Sequence, residues 1–376
     1  MQHGQEIPVP PAAARVIALD AFWDPHKSLA AVVSWITRPV AALGHTRVAQ
    51  NRESTMPSYY VAFWNVENLF DVDGSPDRPE WLQRQLAREL AGWNAEVLAM
   101  KIGQLAHIIR QMNGGLGPDV LGVCEVENEH VLHRLIAALD LPGRDYHVAH
   151  ADTGDQRGID VAFLFDGAMF DQRDQFSQVI LKRNATRDLF QVTLEIRASG
   201  RELILIGNHW PARSAGVHES EPYRILAAET LSYWHERIMD IKGDEMPVLA
   251  MGDFNDEPFN RSLIEYALSS IQAEKVLNAR SPRFFNLMWP LHGQRLGTHY
   301  FDNFANLLDQ FLASRPLLER AARLRVDPES VRIEAFREMM GRGDYPVPRR
   351  FGRPSSGFDP TGFSDHYPIA LLLHES

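Results

Sequence analysis

The residues best suited to chemistry stand where an apolar run ends, in the segment MPVLAMGDFNDEP over 246–258. Asp253 and Asn255 are two positions apart in this segment. Alternate residues of a strand share one face, so both side chains would present oxygen atoms to the same point. Asp, Asn and Gly also favour turns, so the segment alone is more typical of an ordinary strand exit. The other apolar runs of the chain distinguish between these interpretations.

Polar residues of the same kinds stand at the ends of the other apolar runs. Each has an ordinary explanation by itself, as a turn residue, an ion-pair partner or a core histidine. A shared site explains all of them together, because ligands in open α/β architectures gather at strand ends. Asp309 is the hardest to explain as a surface residue, since leucine and phenylalanine flank it on both sides. The candidate site residues are Asn65, Glu125, His209, Asp253, Asn255, Asp309, Asp365 and His366.

The chemistry of this set is that of metal-assisted hydrolysis. Carboxylate and carboxamide oxygens are hard ligands, which suit Mg²⁺ or Mn²⁺ and are poor for zinc. The single Cys124 is not in a zinc-ligand spacing. Two histidines near candidate aspartates could serve as general base and electrostatic stabiliser. Hydrolysis of a phosphate ester needs a metal ion, a base that activates water and donors for the transition state.

The elements that position these residues begin at Tyr59, where the apolar pattern starts to alternate between strands and helices. Helices are predicted at 80–112, at HVLHRLIAAL and at EPYRILAAETLSYWHERIMDI, with Pro222 in the first turn of the last. About eight strands with few helices between them favour two packed sheets flanked by helices over a single doubly wound sheet. The predicted strands are YYVAFWNV, DVLGVCEVE, IDVAFLF, LFQVTLEI, LILIGNHW, VLAMGDF, LLDQFLAS and YPIALLL.

Two segments lie outside this pattern. Residues 1–56 are predicted to be an N-terminal extension of unknown role, which contains the apolar stretch SLAAVVSWITRPVAALG. That stretch could contact a protein or a membrane surface. Residues 57–376 are predicted to be the catalytic domain, with an insertion at about 315–353 that is rich in arginine and has helical and loop parts.

Composition excludes some classes of protein. The net charge of -11 and the pI near 5.8 give no basic footprint for coating nucleic acid. The sequence has no apolar run long enough for a membrane helix and no pattern of a secretion signal. A single cysteine excludes an intramolecular disulfide and fits a reducing compartment. These features predict a cytoplasmic protein and leave its oligomeric state open.

Seven motifs, in this order, resemble those of the endonuclease/exonuclease/phosphatase superfamily. They are NVENLFD, GVCEVEN, RGIDVAFLF, GNHWPARSAG, GDFNDEP, LLDQFLAS and GFSDHYP. The superfamily includes DNase I-like nucleases, abasic endonucleases, inositol polyphosphate phosphatases and neutral sphingomyelinases. The resemblance covers about 59 to 374 and implies a DNase I-like, four-layered α/β sandwich. In that fold, two mostly antiparallel sheets pack together and are flanked by helices.

The resemblance also implies roles for individual residues. Asn65, Glu125 and Asp365 match the metal-binding positions, and His366 matches a histidine that acts as base or stabiliser and is oriented by Asp309. Asp253 and Asn255 match the pair that positions water and phosphate, and His209 matches the second catalytic histidine of the DNase I-like members. Arg157 resembles a phosphate-contacting position of the superfamily. Apart from the resemblance, Arg213 lies in a loop rich in Gly and Ser, where a guanidinium could bind a phosphate or be an ordinary exposed loop residue. Asn208, Arg349 and Arg350 are further predicted phosphate contacts.

The sequence leaves the substrate open. One hypothesis is a Mg²⁺- or Mn²⁺-dependent phosphodiesterase, a nuclease with DNA as its substrate. A second is a phosphomonoesterase, or a phosphatase of lipid or inositol phosphates, on the same scaffold. A third is a binding protein that has lost catalysis, although every expected catalytic position is filled.

Overall fold

Side chains of the first strand alternate between two faces, and each face packs against a different layer of the fold. The computed structural model describes residues 56–376, so residues 1–55 of the predicted extension, with their predicted contacts, lie outside the described residues. The strand Ser58–Leu69 is buried along almost its whole length. Its residues Tyr60 and Trp64 pack against helices, whereas Val61 and Phe63 face a second sheet. Alternate side chains point to opposite faces, so this strand must be covered on both sides.

The strands form two large sheets, with antiparallel pairs in the majority. In chain order they are β1 (Ser58–Leu69), β2 (Val120–Val126), β3 (Tyr146–His150), β4 (Asp160–Asp166), β5 (Phe170–Gln178), β6 (Leu189–Ile196), β7 (Arg201–His209), β8 (Val248–Asp253), β9 (Ser269–Ser270), β10 (Phe284–Asn286), β11 (His299–Phe301), β12 (Phe304–Asn306), β13 (Asp309–Ser314), β14 (Leu324–Ile333), β15 (Gly352–Arg353), β16 (Gly357–Phe358) and β17 (Ile369–Glu375).

The first sheet has the order β14-β17-β1-β2-β4-β3 and the second β5-β6-β7-β8-β13-β10-β9. Parallel pairing joins β1 to β2, β7 to β8 and β9 to β10, and the other pairs in these sheets are antiparallel. Strands β11 and β12 form one separate hairpin, and β15 and β16 form another.

Helices cover the outer faces of both sheets. They are α1 (Glu80–Leu86), α2 (Ala95–Ile109), α3 (Met112–Gly115), α4 (Glu129–Leu139), α5 (Val217–Lys242) and α6 (Ala273–Leu277). One core joins α2 and α4 to the first sheet, a second lies between the sheets, and a third joins α5 to the second sheet. The predicted four-layered sandwich of two mostly antiparallel sheets is therefore confirmed. No helix within 56–376 combines the length and apolar character that crossing a bilayer requires.

The structure corrects the predicted helices. The helix expected over 80–112 is interrupted between α1 and α2. Gly92 takes a positive φ of 84° there, and the side chain of Asn94 accepts the backbone N–H groups that begin α2. Helix α5 begins at Val217, so Pro222 lies in its second turn and removes only one backbone hydrogen bond.

Nine strands within 56–376 were not predicted, of which six have only two or three residues and three, β3, β5 and β14, are longer. Strand β5 reads FDQRDQFSQ and is exposed over most of its length, because it is the edge strand of its sheet. The short β3 also lies at an edge. Strand β14 lies inside segment 315–353, where helical and loop structure was expected, and pairs with β17. Edge strands have no covered second face to impose an apolar pattern, so periodicity does not detect them.

Candidate active site

Three neighbouring strands of the second sheet align three of the predicted residues. His209 at the end of β7 is in register with Asp253 at the end of β8, and Asp253 is in register with Asp309 at the start of β13. All three are almost completely buried. The close approach of β7 and β8 requires Gly252, because a Cβ there would lie 2.1 Å from the backbone oxygen of Asn208. Strand register thus fixes the spacing of this row.

The first sheet contributes Asn65 and Glu125 through irregular strand ends. The pairing of β1 with β2 shifts register after Asn65, and Glu125 takes a left-handed φ of 64° within a bulge. Such a conformation costs a non-glycine residue about 1–3 kcal/mol. The Asn65 amide nitrogen lies 3.1 Å from Oδ2 of Asp253, and so connects the two sheets. Oε2 of Glu125 accepts the backbone N–H of Asn68 at 2.9 Å.

Asn255 is held just beyond β8. Its φ of 51° is left-handed, and its backbone N–H donates to Oδ1 of Asp253 at 2.9 Å. Its amide nitrogen donates to the backbone oxygen of Trp210 at 3.0 Å. The turn that was the simple explanation of GDFN is therefore present, and it brings the side chains of Asp253 and Asn255 to the same cleft.

His366 and Asp309 form a buried pair. Nδ1 of His366 lies 2.7 Å from Oδ2 of Asp309, and Nε2 lies 3.8 Å from Oδ2 of Asp253. The backbone oxygen of His366 accepts the indole N–H of Trp64 at 2.9 Å. Burial disfavours the imidazolium, but the carboxylates of Asp309 and Asp253 outweigh it and raise the pKa of His366 well above its usual value.

His209 has the opposite tendency. Its Nε2 lies 3.6 Å from Oε1 of Glu125 and 4.0 Å from Oδ2 of Asp253. Burial, followed by the positive charges of Arg187 and Arg157, holds the pKa of His209 well below its usual value. The surroundings thus favour a protonated His366 and a neutral His209.

Most of the predicted site residues meet in one cleft of about 560 Å³. Asp309 is fully buried behind His366 and does not line the cleft. The lining also includes a wall that sequence reasoning missed, formed by Lys182, Asn184, Arg187 and Tyr223. The predicted residues in the lining are Asn65, Glu125, Arg157, His209, Asp253, Asn255, Asp365 and His366.

The donors in the cleft fit a divalent ion. Asn65, Glu125 and Asp365 offer only oxygen as ligand atoms once the Asn65 amide turns its oxygen inward, which favours a hard cation. A second group of potential ligands, Asp253, Asp309 and His366, has donor atoms within 4.8 Å of one another. In this group Nδ1 of His366 already bonds Asp309. The acidic and histidine clusters of the site could therefore bind a divalent metal ion.

A buried lysine near Glu67 and Asp365 was not revealed by the sequence patterns. Lys101 is completely buried and its Nζ donates to the backbone oxygen of Phe363 at 2.6 Å. Burial lowers its pKa to about 8, although Glu67 and Asp365 act in the opposite direction. Burial and the nearby Asp365 raise the pKa of Glu67. From the sequence alone, a lysine in the amphipathic helix α2 is expected to be exposed, because the groups that contact its ammonium are distant in sequence.

Two predicted phosphate contacts lie outside the cleft lining. Asn208 is fully buried, with its amide nitrogen 2.8 Å from the backbone oxygen of Ile206 and its oxygen accepting the indole N–H of Trp210 at 2.9 Å. Arg213 donates to the backbone oxygen of Asn255 at 2.6 Å and to Asp256 at 2.9 Å. Both side chains are engaged in holding the loops around the site.

Arg349 and Arg350 are also engaged elsewhere and do not line the cleft. The guanidinium of Arg349 lies 3.0 Å from Asp359. Nε of Arg350 lies 3.0 Å from Oε1 of Glu67. Each arginine stands near the motif GFSDH in sequence, but its ion pair holds it to the surrounding segments.

Arg187 is the arginine that sequence reasoning missed. It lines the cleft, lies 3.3 Å from Asp155 and donates to the backbone oxygen of Trp210 at 3.1 Å. Its Nε is buried and has no hydrogen-bond partner within residues 56–376. Arg157, which was predicted, lines the same cleft and bonds the side chains of Asn68 and Glu89. One indication of this role was present in the sequence, namely that Arg187 lies just before β6 and so at a strand end, like the other site residues.

Solved structures with this fold provide the comparison. An endonuclease/exonuclease/phosphatase family protein from Bacteroides thetaiotaomicron is 15% identical and has a TM-score of 0.51, covering 86% of this chain and 99% of that one. The mannosyl-6-phosphatase of the same species is 16% identical, with a TM-score of 0.51 over 84% of this chain and 99% of that one. TDP2 from C. elegans is 16% identical, with a TM-score of 0.48 over 86% and 77% of the two chains. At this identity the likeness concerns the fold.

Family membership rests on the sequence. No curated protein matches the chain significantly. The sequence profile of the Endonuclease/Exonuclease/phosphatase family, in contrast, matches residues 60–375, which is most of the chain. The match spans both sheets and every residue of the cleft. The chain therefore belongs to the Endonuclease/Exonuclease/phosphatase family, whose members hydrolyse phosphoric esters.

Proposed function

We propose that this protein is a Mg²⁺- or Mn²⁺-dependent phosphodiesterase that hydrolyses nucleic acid, with DNA as its substrate. The observation that carries the proposal is the meeting of a His366–Asp309 pair, the Asp253–Asn255 pair and oxygen ligands in one cleft. Bound to Asn65, Glu125 and Asp365, the ion would neutralise charge on the phosphate and position its oxygens. Side chains of the protein would carry out the remaining steps.

Asp253 and Asn255 are suited to hold the attacking water. The carboxylate of Asp253 accepts the backbone N–H of Asn255, and both side chains line the same cleft. Burial, opposed by His366, raises the pKa of Asp253, so its carboxylate is a stronger base than an exposed aspartate. A water molecule between them would be oriented for in-line attack on phosphorus.

The two histidines divide the remaining work. His366, kept protonated by Asp309, would stabilise the negative charge that develops on the phosphate oxygens. The lowered pKa favours a neutral His209, whose ring can donate one hydrogen bond to a phosphate oxygen without adding charge. Arg187 and Arg157 would contact the phosphate or its neighbour along the cleft.

The far wall of the cleft supports a polymeric substrate. Nζ of Lys182 lies 4.6 Å from the ring centroid of Tyr223, and both residues line the cleft. An exposed aromatic ring beside a cation is a common way to bind a nucleotide base next to its phosphate. A cleft of about 560 Å³ also offers room on both sides of one phosphate group. The overall acidity of the chain makes recognition depend on this local surface and on the metal ion.

A phosphomonoesterase is the second candidate, and one observation favours it. Arg157 and Arg187 both line the cleft, and two guanidinium groups suit the double charge of a terminal phosphate. A diester carries a single charge at each phosphate and needs fewer cationic contacts. The substrate panel below separates the two candidates.

The test is a panel of substrates with the purified full chain. Supercoiled plasmid, single-stranded DNA, RNA and sugar-phosphate monoesters are incubated with Mg²⁺, with Mn²⁺ or with EDTA. We expect DNA cleavage that EDTA abolishes and that His366→Ala reduces by more than about 100-fold. Release of inorganic phosphate from monoesters, with intact DNA, would replace the proposal by the second candidate. No metal-dependent hydrolysis of any substrate would indicate a binding protein.

A further inference from the structure

Away from the active site, another group of potential metal ligands lies at the base of the loop between β3 and β4. His150 is the last residue of β3, Asp152 follows it, and Asp160 is the first residue of β4. One ligand atom from each of the three lies within 4.8 Å of the other two. The three residues line a cleft of about 640 Å³ that contains none of the predicted catalytic or metal-binding residues.

The imidazole of His150 is an unpartnered polar group within this cluster. The residue is 6% exposed, and its Nε2 is buried without a hydrogen-bond partner among residues 56–376. Leaving a buried polar atom unpaired costs about 1–3 kcal/mol, so such atoms indicate a missing partner. Nε2 lies 3.7 Å from Oδ2 of Asp160. That separation is too long for a hydrogen bond.

The same separation is suitable for two ligands of one ion. Metal bonds to imidazole nitrogen and carboxylate oxygen are roughly 2.0–2.2 Å long, which places two ligands of one ion about 3–4 Å apart. Oδ1 of Asp160 accepts the backbone N–H of Thr153 at 3.2 Å and also the Thr153 hydroxyl. The other oxygen, Oδ2, is the one that faces His150.

The two carboxylates also lack cationic partners. Within residues 56–376, neither Asp152 nor Asp160 forms an ion pair with lysine or arginine. Arg78, the arginine of this cleft, is bonded to Glu127 through two hydrogen bonds of 2.5 and 2.7 Å. Asp152 is exposed, so an ion can enter from solvent on its side.

We propose that His150, Asp152 and Asp160 bind a divalent transition-metal ion of the Zn²⁺ or Mn²⁺ type. One nitrogen and two carboxylate ligands favour such an ion over Mg²⁺, which prefers oxygen ligands alone. Water would complete the coordination on the open side of the cleft. The selectivity of this site therefore differs from that of the all-oxygen ligands at the active site.

An ion at this position would join the two ends of the loop over 151–159. That loop contains Asp155, which pairs with Arg187, and Arg157, which lines the active-site cleft. Fixing the ends of the loop would restrict the positions that both arginines can take. The second ion therefore has a structural role at the edge of the substrate cleft, and it takes no part in the chemical step.

The test is calorimetric titration of the metal-free full chain with Zn²⁺. Four variants are compared with the wild type: His150→Gln, Asp152→Asn, His147→Gln and Glu125→Gln. His147 is the matched control, since it is an exposed histidine of the same strand. We expect His150→Gln and Asp152→Asn to lose one binding event, or to weaken it by about 100-fold or more. His147→Gln and Glu125→Gln should retain that event.

Two further measurements separate binding from folding. Zn²⁺ should raise the unfolding temperature of the wild type and of His147→Gln, but not that of Asp152→Asn, whose exposed side chain is not needed for folding. Zn²⁺ should also slow hydrogen exchange of the amides in 151–159. Equal stoichiometry and affinity in His150→Gln, Asp152→Asn and the wild type would overturn the proposal.

Discussion

Nδ1 of His366 lies 2.7 Å from Oδ2 of Asp309, and this contact joins the entry of β17 to the start of β13. The pair connects the two sheets beside the cleft, because β17 belongs to the first sheet and β13 to the second. The hydrogen bond orients the ring of His366, and the carboxylate of Asp309 favours its protonated form.

The first prediction concerns this pair. Asp309→Asn keeps the shape of the site but removes the charge that holds His366 protonated, so kcat should fall by about 10²–10⁴-fold. Steady-state kinetics with the preferred substrate measures the change, and circular dichroism checks the fold. Asp327→Asn is the matched control, because Asp327 lies 3.4 Å from His374 in a pair outside the site. A loss in the control as large as that in Asp309→Asn would contradict the assigned role.

Glu125 provides the second prediction. Its left-handed φ of 64° favours glycine, so Glu125→Gly relieves backbone strain while it removes a metal ligand. We expect the free energy of unfolding in urea to stay within about 1 kcal/mol of the wild type. The metal-dependent rate should fall by more than about 100-fold.

The control for Glu125 is an exposed glutamate in a regular helix. Glu96→Gly, in α2, should lose about 0.5–1 kcal/mol of stability and keep full activity. If Glu125→Gly instead loses 3 kcal/mol or more, the glutamate is required by the fold and its strained backbone has no functional meaning.

The third prediction separates two arginines by kinetics. Arg187 lines the cleft with a buried Nε that has no hydrogen-bond partner in the part of the chain that the structure describes, so Arg187→Met should raise KM by about 10- to 100-fold. Arg213 lies outside the cleft lining and donates to the backbone of Asn255, so Arg213→Met should lower kcat and leave KM within about twofold.

Arg183→Met is the control for general loss of positive charge, since Arg183 is exposed near Arg187 but does not line the cleft. Its KM should remain within about twofold of the wild type. A rise of KM in Arg213→Met equal to that in Arg187→Met would show that Arg213 reaches substrate after all.

The fourth prediction is a dependence of stability on pH. Burial lowers the pKa of His235 to about 3, and its ring stacks on Phe284 with centroids 3.9 Å apart. In the unfolded chain His235 therefore takes up a proton near pH 6.5, whereas in the folded chain it does so only near pH 3. The stabilising contribution is complete above pH 6.5 and is lost as the pH falls toward 3, by up to about 1.4 kcal/mol per pH unit.

Denaturant unfolding at a series of pH values tests this expectation. His235→Phe keeps a stacked ring without a titrating group, so its stability should fall less steeply between pH 6.5 and 4. His218→Phe, at an exposed position of the same helix, should follow the wild type. Parallel curves for His235→Phe and the wild type would mean that His235 is protonated in the folded protein.

Many of the site residues could be predicted from the sequence, because they are polar residues at the ends of apolar strands. Asn65, Asp253 and His366 are polar residues beside apolar runs, and strand register then brings them together. The group that each arginine contacts could not be predicted in this way. Arg213 and Arg187 each follow such a pattern, and only the fold shows that Asp256 engages the first while the second faces the cleft.

Parts of the fold also lay beyond sequence patterns, for a physical reason. Strands β5 and β14 lie at sheet edges, where exposure permits polar residues and the alternation is lost. Lys101 is buried because the Phe363 carbonyl and acidic neighbours surround its ammonium group, and those partners are distant in sequence. The apolar periodicity of a segment predicts which of its faces is buried. It does not predict which distant residues pair with a buried polar group, because tertiary contacts decide that.

The central claim is that Asp253 works in metal-dependent phosphoester hydrolysis and does not hold the fold. The most direct measurement compares wild type and Asp253→Asn in the initial rate of phosphodiester hydrolysis with saturating Mg²⁺ and in the unfolding temperature. We predict a rate lower by more than about 100-fold with an unfolding temperature that is unchanged or higher, because burial raises the pKa of this carboxyl. A variant that hydrolyses at the wild-type rate, or one that fails to fold, would contradict the account.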